Sequence, residues 1–147
     1  MRVLGIDLGM ARTGLALSDE LGLSTRPLPN LTPKSRKQDV DFLVELCATE
    51  GVEHVAVGLP LMPRSGDDGF MAKRARGFAA VLQDALRAVA LPTLVHLVDE
   101  RGSSSAAQRR LVESGIKKGR RAELIDSEAA RVLVEELIAR LQYASRP

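Results

Sequence analysis

GIDLGMARTGLALSD, residues 5–19, is the stretch whose reading decides the fold. An apolar run opens it, an aspartate interrupts the run at position 7, and glycines follow at 9 and 14. RVLGIDLG reads as a short strand and GLALSD as a second one beginning after Arg12-Thr13. The short connection through Gly9 and Gly14 predicts an antiparallel hairpin. Asp7 then stands near the end of an otherwise buried strand, where packing alone gives no reason for a carboxylate.

Outward from the hairpin, LSTRPLPNL is a third extended piece, and Pro27 and Pro29 place it at a sheet edge. SRKQDVDFLVELCATEG carries apolar residues at 40, 43, 44, 46 and 47, a helical period with Ser35 as N-cap and Gly51 as the stop. HVAVGLP is a continuous apolar run and reads as a strand buried on both faces. The loop LMPRSGDDG and a helix over about 69–89 follow, and TLVHLVDE reads as another buried strand ending in carboxylates. Two helices close the chain, one over SSSAAQRRLVESG and a last one from about Ser127 to Tyr143. The order β-β-β-α-β-α-β-α-α predicts a mixed five-stranded α/β sheet with helices on both faces, in one domain spanning residues 1–147.

Composition narrows the function classes. The chain is 45% hydrophobic, enough for a core, but only 3% aromatic, which argues against a nucleic-acid surface built on stacked rings. The formal charge of +2 requires any phosphate affinity to come from local clustering. Cys47, the single cysteine, excludes an internal disulfide framework and reads as a small buried hydrophobe. MRVLGID enters a strand with no signal-like apolar region, and no run approaches a membrane span, so the expectation is a cytoplasmic protein without a membrane partner.

In a mixed sheet of this kind, ligands gather at the carboxyl ends of the parallel strands. Asp7 and the Asp99-Glu100 pair fall near such ends, and Asp126 precedes the alanine-rich turn of the last helix, where it is expected to cap that helix. Three converging carboxylates would repel one another and hold protons at neutral pH unless a cation neutralised them. Hard oxygen ligands without a cysteine or histidine cluster favour Mg²⁺ or Mn²⁺ over Zn²⁺. Ions of this class activate water and stabilise charge on a phosphoryl group, so the chemistry points to phosphodiester hydrolysis.

GIDLGMARTGLALSD, VGLPL, VDERGSSSAA and IDSEAARVLVEEL resemble, in order and spacing, the YqgF/RuvX family of RNase-H-like nucleases. That family is named for Holliday junction resolution and for pre-16S ribosomal RNA processing. The resemblance runs from about residue 3 to 142 and implies an RNase-H-like fold. It implies that Asp7, Glu100 and Asp126 are the catalytic, metal-binding acids. Adjacent strand residues face opposite ways, so Asp99 is expected in a supporting or structural role. Two blocks differ from the family pattern: LMPRSGDDG replaces an asparagine and a short glycine turn, and Gly102 with Ser103-Ser104-Ser105 replaces a bulkier residue and threonines. The hydroxyls of Ser103 and Ser104 remain available to cap a helix or contact phosphate.

Between Arg101 and Arg121 the chain holds seven basic residues and one acid, Glu113. IKKGRRAE, polar and broken by glycine, reads as a basic loop beside the metal site. Arg12, Arg101, Lys117, Lys118, Arg120 and Arg121 are the expected contacts to a nucleic-acid backbone. Lys73-Arg74-Arg76 and Lys34-Arg36-Lys37 read as solvated helix faces, Glu128 as solvated, His54 and His96 as isolated, and Phe42, Phe70 and Phe78 as core. The expected activity is a metal-dependent endonuclease acting on precursor ribosomal RNA, with branched DNA junctions as the alternative substrate. A junction resolvase would need a two-fold homodimer, whereas an RNA-trimming enzyme could work as a monomer. Two other classes compete: a non-catalytic nucleic-acid-binding module, and a phosphotransfer enzyme whose opening motif also reads G-I-D-x-G.

Overall fold

The computed structural model describes residues 1–60, 69–99 and 118–145; over 118–126 it describes the helical backbone. The elements are β1 (Val3–Asp7), β2 (Thr13–Ser18), β3 (Thr25–Leu31), α1 (Arg36–Glu50), β4 (His54–Leu59), α2 (Phe70–Ala88), β5 (Leu94–Asp99) and α3 (Lys118–Ala144). The strands form one sheet in the order β3-β2-β1-β4-β5. β1 and β2 pair antiparallel as the hairpin reading requires, and β3 occupies an edge, where its two prolines meet a ladder on one side only. β4 lies parallel to both β1 and β5.

Alternation along the strands sorts the core into two layers. Leu4, Ile6, Leu15, Leu17, Val55 and Val57 face α1 and α2, where they pack with Val40, Leu43, Phe78, Leu82 and Leu86. The opposite face carries Val3, Ala16, Ala56 and Val98, and it packs on Ala130, Leu133, Val134 and Leu137 of α3. Small residues on this second face let a helix come close. A Cβ on Gly5 would lie 2.3 Å from the carbonyl oxygen of Ala130 and 2.7 Å from Val134 Cγ2, so the absence of a side chain at Gly5 sets how near α3 sits.

The α1 termini follow the sequence. Ser35 Oγ accepts from the backbone N–H of Gln38 at 3.1 Å, and Gly51 closes the helix in the left-handed region with φ 65°. β5 departs from expectation: it is the second edge of the sheet, with Leu94 50% and Leu97 37% exposed. A continuous apolar run does not distinguish a central strand from an edge strand that helices cover only in part. Gln83 of α2 anchors the start of this edge, donating to the Thr93 carbonyl at 3.0 Å and accepting from Val95 N–H at 2.8 Å. Phe78 is buried, but Phe42 and Phe70 are 47% and 70% exposed, so two of the three phenylalanines expected in the core lie on the surface.

α3 also departs from expectation. It begins at Lys118, not near Ser127, so Lys118, Arg120, Arg121 and Asp126 stand on a helix. The basic-loop reading fails from Lys118 onward because Lys, Arg, Ala, Glu and Leu are all strong helix formers. A single Gly119 in the first turn costs about 1 kcal/mol against that propensity. Asp126 is therefore interior to the helix and does not cap it. The helix expected over SSSAAQRRLVESG and most of the LMPRSGDDG loop lie outside the described residues. No helix among the described residues is long and apolar enough to cross a membrane.

Candidate active site

Asp7 ends β1 and is 8% exposed. It shares the strand face of Val3 and Gly5, so it belongs to the α3 side of the sheet. Gly14 stands directly opposite it on β2. On the other side, one residue beyond the Ile6–Val57 pair, the sheet continues with Gly58 of β4. Two buried glycines thus flank the carboxylate at the carboxyl end of β1, and neither fills the space beside it with a side chain.

The turn after Asp7 is tightly held. A Cβ on Gly9 would lie 2.2 Å from the Arg12 carbonyl oxygen, so this bend requires glycine. Arg74 of α2 donates from its guanidinium to the Gly9 carbonyl at 3.0 Å and braces the turn from outside. Its neighbour in the sequence cluster, Lys73, is exposed as expected, but Arg74 is half-buried and not part of a solvated face. No local sequence signal marks it, because its partner Gly9 lies 65 residues earlier in the chain. Arg12 stands exposed on the same turn, at the mouth of the strand end that carries Asp7.

α3 runs antiparallel to β1. Ser127 Oγ donates to Asn30 Oδ1 at 2.7 Å at the end of β3, Ala130 and Val134 cover Gly5, and Ile138 lies beside Gly22. Asp126 precedes Ala130 by one helical turn, about 6 Å along the axis. Asp7 follows Gly5 by two strand residues, about 6.6 Å in the same direction. The helix position of Asp126 and the strand position of Asp7 therefore advance together toward one end of the sheet. Ser127, one residue on, ties that end of α3 to β3 and was not singled out by the sequence.

Asp99 does not join Asp7. It pairs with Leu59 and follows Val95 and Leu97 on the alternation, which places it on the α1/α2 face. Glu128 is a further correction: it is 8% exposed and bonded to Arg131 at 2.5 Å, and Arg131 Nε donates to Thr25 Oγ1 on β3. Its carboxylate holds Arg131, which makes the contact from α3 to β3, and this was hidden in the sequence because only the helix's placement on the sheet buries Glu128. Glu100, Arg101, Ser103, Ser104 and Lys117 lie outside the described residues, and of Lys118, Arg120, Arg121 and Asp126 only the helical backbone is described.

The donor chemistry near Asp7 is oxygen. Cys47 is buried on the opposite face, and burial pushes its thiol up to about 12, so it supplies no thiolate at neutral pH. His54 begins β4, four residues and about 13 Å of strand from Gly58, and His96 is its neighbour on β5. A buried carboxylate between two glycines, with no cysteine or histidine beside it among the described residues, fits a hard divalent cation.

A strand-end aspartate facing a C-terminal helix across a β3-β2-β1-β4-β5 sheet defines an RNase-H-like domain. The model of the RuvX family, described as a Holliday junction resolvase, matches residues 1–140, and the chain belongs to this family. A protein of Syntrophomonas wolfei named "Putative pre-16S rRNA nuclease" is 42% identical over 130 residues, covering 88% of each chain. One of the same name from Maridesulfovibrio salexigens is 39% identical over 140 residues, covering 95% of this chain and 99% of its own. Among solved structures, Thermus thermophilus RuvC bound to a Holliday junction superposes with TM-score 0.54 at 22% identity, covering 96% of each chain. Fowlpox virus resolvase with its junction DNA gives 0.56 at 11% identity, covering 96% of this chain and 99% of that one. These two likenesses concern the fold.

Proposed function

We propose that this chain is a single-domain, divalent-metal-dependent endonuclease that processes the 5′ end of precursor 16S ribosomal RNA in the cytoplasm. The observation that carries the reading is the buried Asp7 carboxylate at the end of β1, flanked by Gly14 and Gly58 and facing α3. Asp7, Glu100 and Asp126 would hold Mg²⁺ or Mn²⁺, which would neutralise charge at the phosphoryl group and activate water. The displacement of Asp99 to the other face favours Glu100 as the acid of that pair, and the position of Asp126 on α3 toward the Asp7 end of the sheet favours Asp126. Arg12 contacts substrate phosphate beside Asp7, with Arg101, Lys117, Lys118, Arg120 and Arg121 continuing the contact, and Ser103 and Ser104 adding hydroxyl donors. The relatives named for pre-16S rRNA support the substrate, since they match nearly the whole chain at 39–42% identity.

The family description supports a second substrate, the four-way DNA junction. The two are separated by one comparison: a precursor 16S fragment and a four-way junction, each incubated with the full-length protein in Mg²⁺, Mn²⁺ or EDTA. Metal-dependent cutting of the RNA alone is the expected result, and it requires no more than a monomer. Symmetric cutting of the junction assigns the resolvase reading and a two-fold homodimer. Binding of either substrate without cutting would overturn the catalytic reading in favour of a binding module.

A further inference from the structure

His54 and His96 are not isolated. His54 is the first residue of β4 and His96 the third of β5, and the parallel register pairs His54 with Leu94 and Ala56 with His96. The two histidines are therefore diagonal neighbours, and alternation puts both on the face that carries Ala56 and Val98. Their rings meet with centroids 5.1 Å apart, and His54 Nδ1 lies 3.0 Å from His96 Nε2. Both are half-buried; His54 opens β4 at the opposite end from Asp7, and His96 lies one step further along β5.

We propose that His54 and His96 form a bidentate site for a borderline divalent cation of the Cu²⁺ or Ni²⁺ type, separate from the carboxylate end of the sheet. The geometry selects the class. With metal–nitrogen bonds of about 2.05 Å, a nitrogen–nitrogen separation of 3.0 Å gives an angle at the metal of about 94°. That is the cis angle of a square-planar or octahedral sphere, which Cu²⁺ and Ni²⁺ adopt. Hard ions such as Mg²⁺ gain little from imidazole and stay with oxygen donors.

The protonation states suit the site. Burial pushes both imidazoles below their usual range, the N-terminal ammonium lowers His54 further while Glu53 opposes it, and His54 lowers His96. Both rings are accordingly neutral at pH 7. One facing nitrogen carries the proton of the hydrogen bond between them, and binding moves that proton to the far nitrogen of the same ring through solvent. Each ring keeps one proton, so two lone pairs face the cation with no net proton release. Water fills the remaining positions, and the bound ion ties edge strand β5 to β4.

The test uses untagged, metal-free, full-length protein titrated with Cu²⁺ and Ni²⁺. Cu²⁺ should bind with the electron spin-echo modulation of two coordinated imidazoles, and the Ni²⁺ heats that the histidine variants lose should be independent of the buffer's ionisation enthalpy. His54→Gln and His96→Gln should each show one imidazole and weaken Ni²⁺ binding by at least about tenfold, as expected when a site loses a supporting group. Asp7→Asn should leave the two-imidazole spectrum unchanged. A wild-type spectrum with fewer than two imidazoles overturns the site without reference to any variant. Equal affinity in both folded histidine variants overturns it as well.

Discussion

Gly5→Ala puts the closeness of α3 to the sheet to a quantitative test. The new Cβ would stand 2.3 Å from the Ala130 carbonyl oxygen, 2.7 Å from Val134 Cγ2 and 3.1 Å from the Ala130 carbonyl carbon. Restoring ordinary contact with the oxygen requires α3 to retreat by about 1 Å. Overpacking of a core typically costs about 1–3 kcal/mol. Here the nearest obstacle is backbone, which cannot rotate aside, so the expected cost is near the upper end, about 3 kcal/mol. For a chain of this length that lowers Tm by about 10 °C. Urea unfolding followed by far-UV circular dichroism should show a lower midpoint at unchanged slope. Adding Val134→Ala removes only the side-chain obstacle and should recover less than about 1 kcal/mol. A Gly5→Ala protein within about 0.5 kcal/mol of wild type would refute the close approach and, with it, the placement of α3 over β1.

Arg74→Ala removes the brace on the Gly9 carbonyl and should cost about 1 kcal/mol of stability. Cleavage at saturating substrate should fall in the same variant while Mn²⁺ still binds, because the turn beside Asp7 loosens and the ligands stay; unchanged kcat would assign Arg74 a purely structural part. Acid sensitivity should report His54 and His96, whose folded pKa values lie below the ordinary 6.5. Their contribution is complete above the unfolded value and is lost as pH falls through the lowered folded values, since the unfolded state then binds more protons. Thermal midpoints from pH 8 to 5 should therefore decline less steeply for His96→Gln than for wild type.

The hairpin, the proline-bearing edge strand, the capped α1 and the α/β order were legible because each rests on local chemistry: turn glycines, proline geometry, Ser35 and Gly51. The position of β5 was not legible, since an edge and a centre share one apolar pattern and only the strand order separates them. The start of α3 was misread because charge suggested a loop where propensity formed a helix. At the site, Asp7 stood out as a carboxylate in an apolar strand. The glycine flanks and the Arg74 brace depend on register between segments up to 65 residues apart, which no local pattern records. The histidine pair, 42 residues apart in the chain, was hidden for the same reason, and so was the burial of Glu128.

The central claim is that Asp7 holds the cation on which cleavage depends. Its most direct test is single-turnover cleavage of a precursor 16S fragment by wild type and Asp7→Asn, with Mn²⁺ binding measured on the same preparations. The account predicts cleavage abolished by EDTA, and a folded Asp7→Asn protein slower by more than about a hundredfold with weakened Mn²⁺ binding. Cleavage that persists in EDTA, or an Asp7→Asn protein cutting at the wild-type rate, would contradict it.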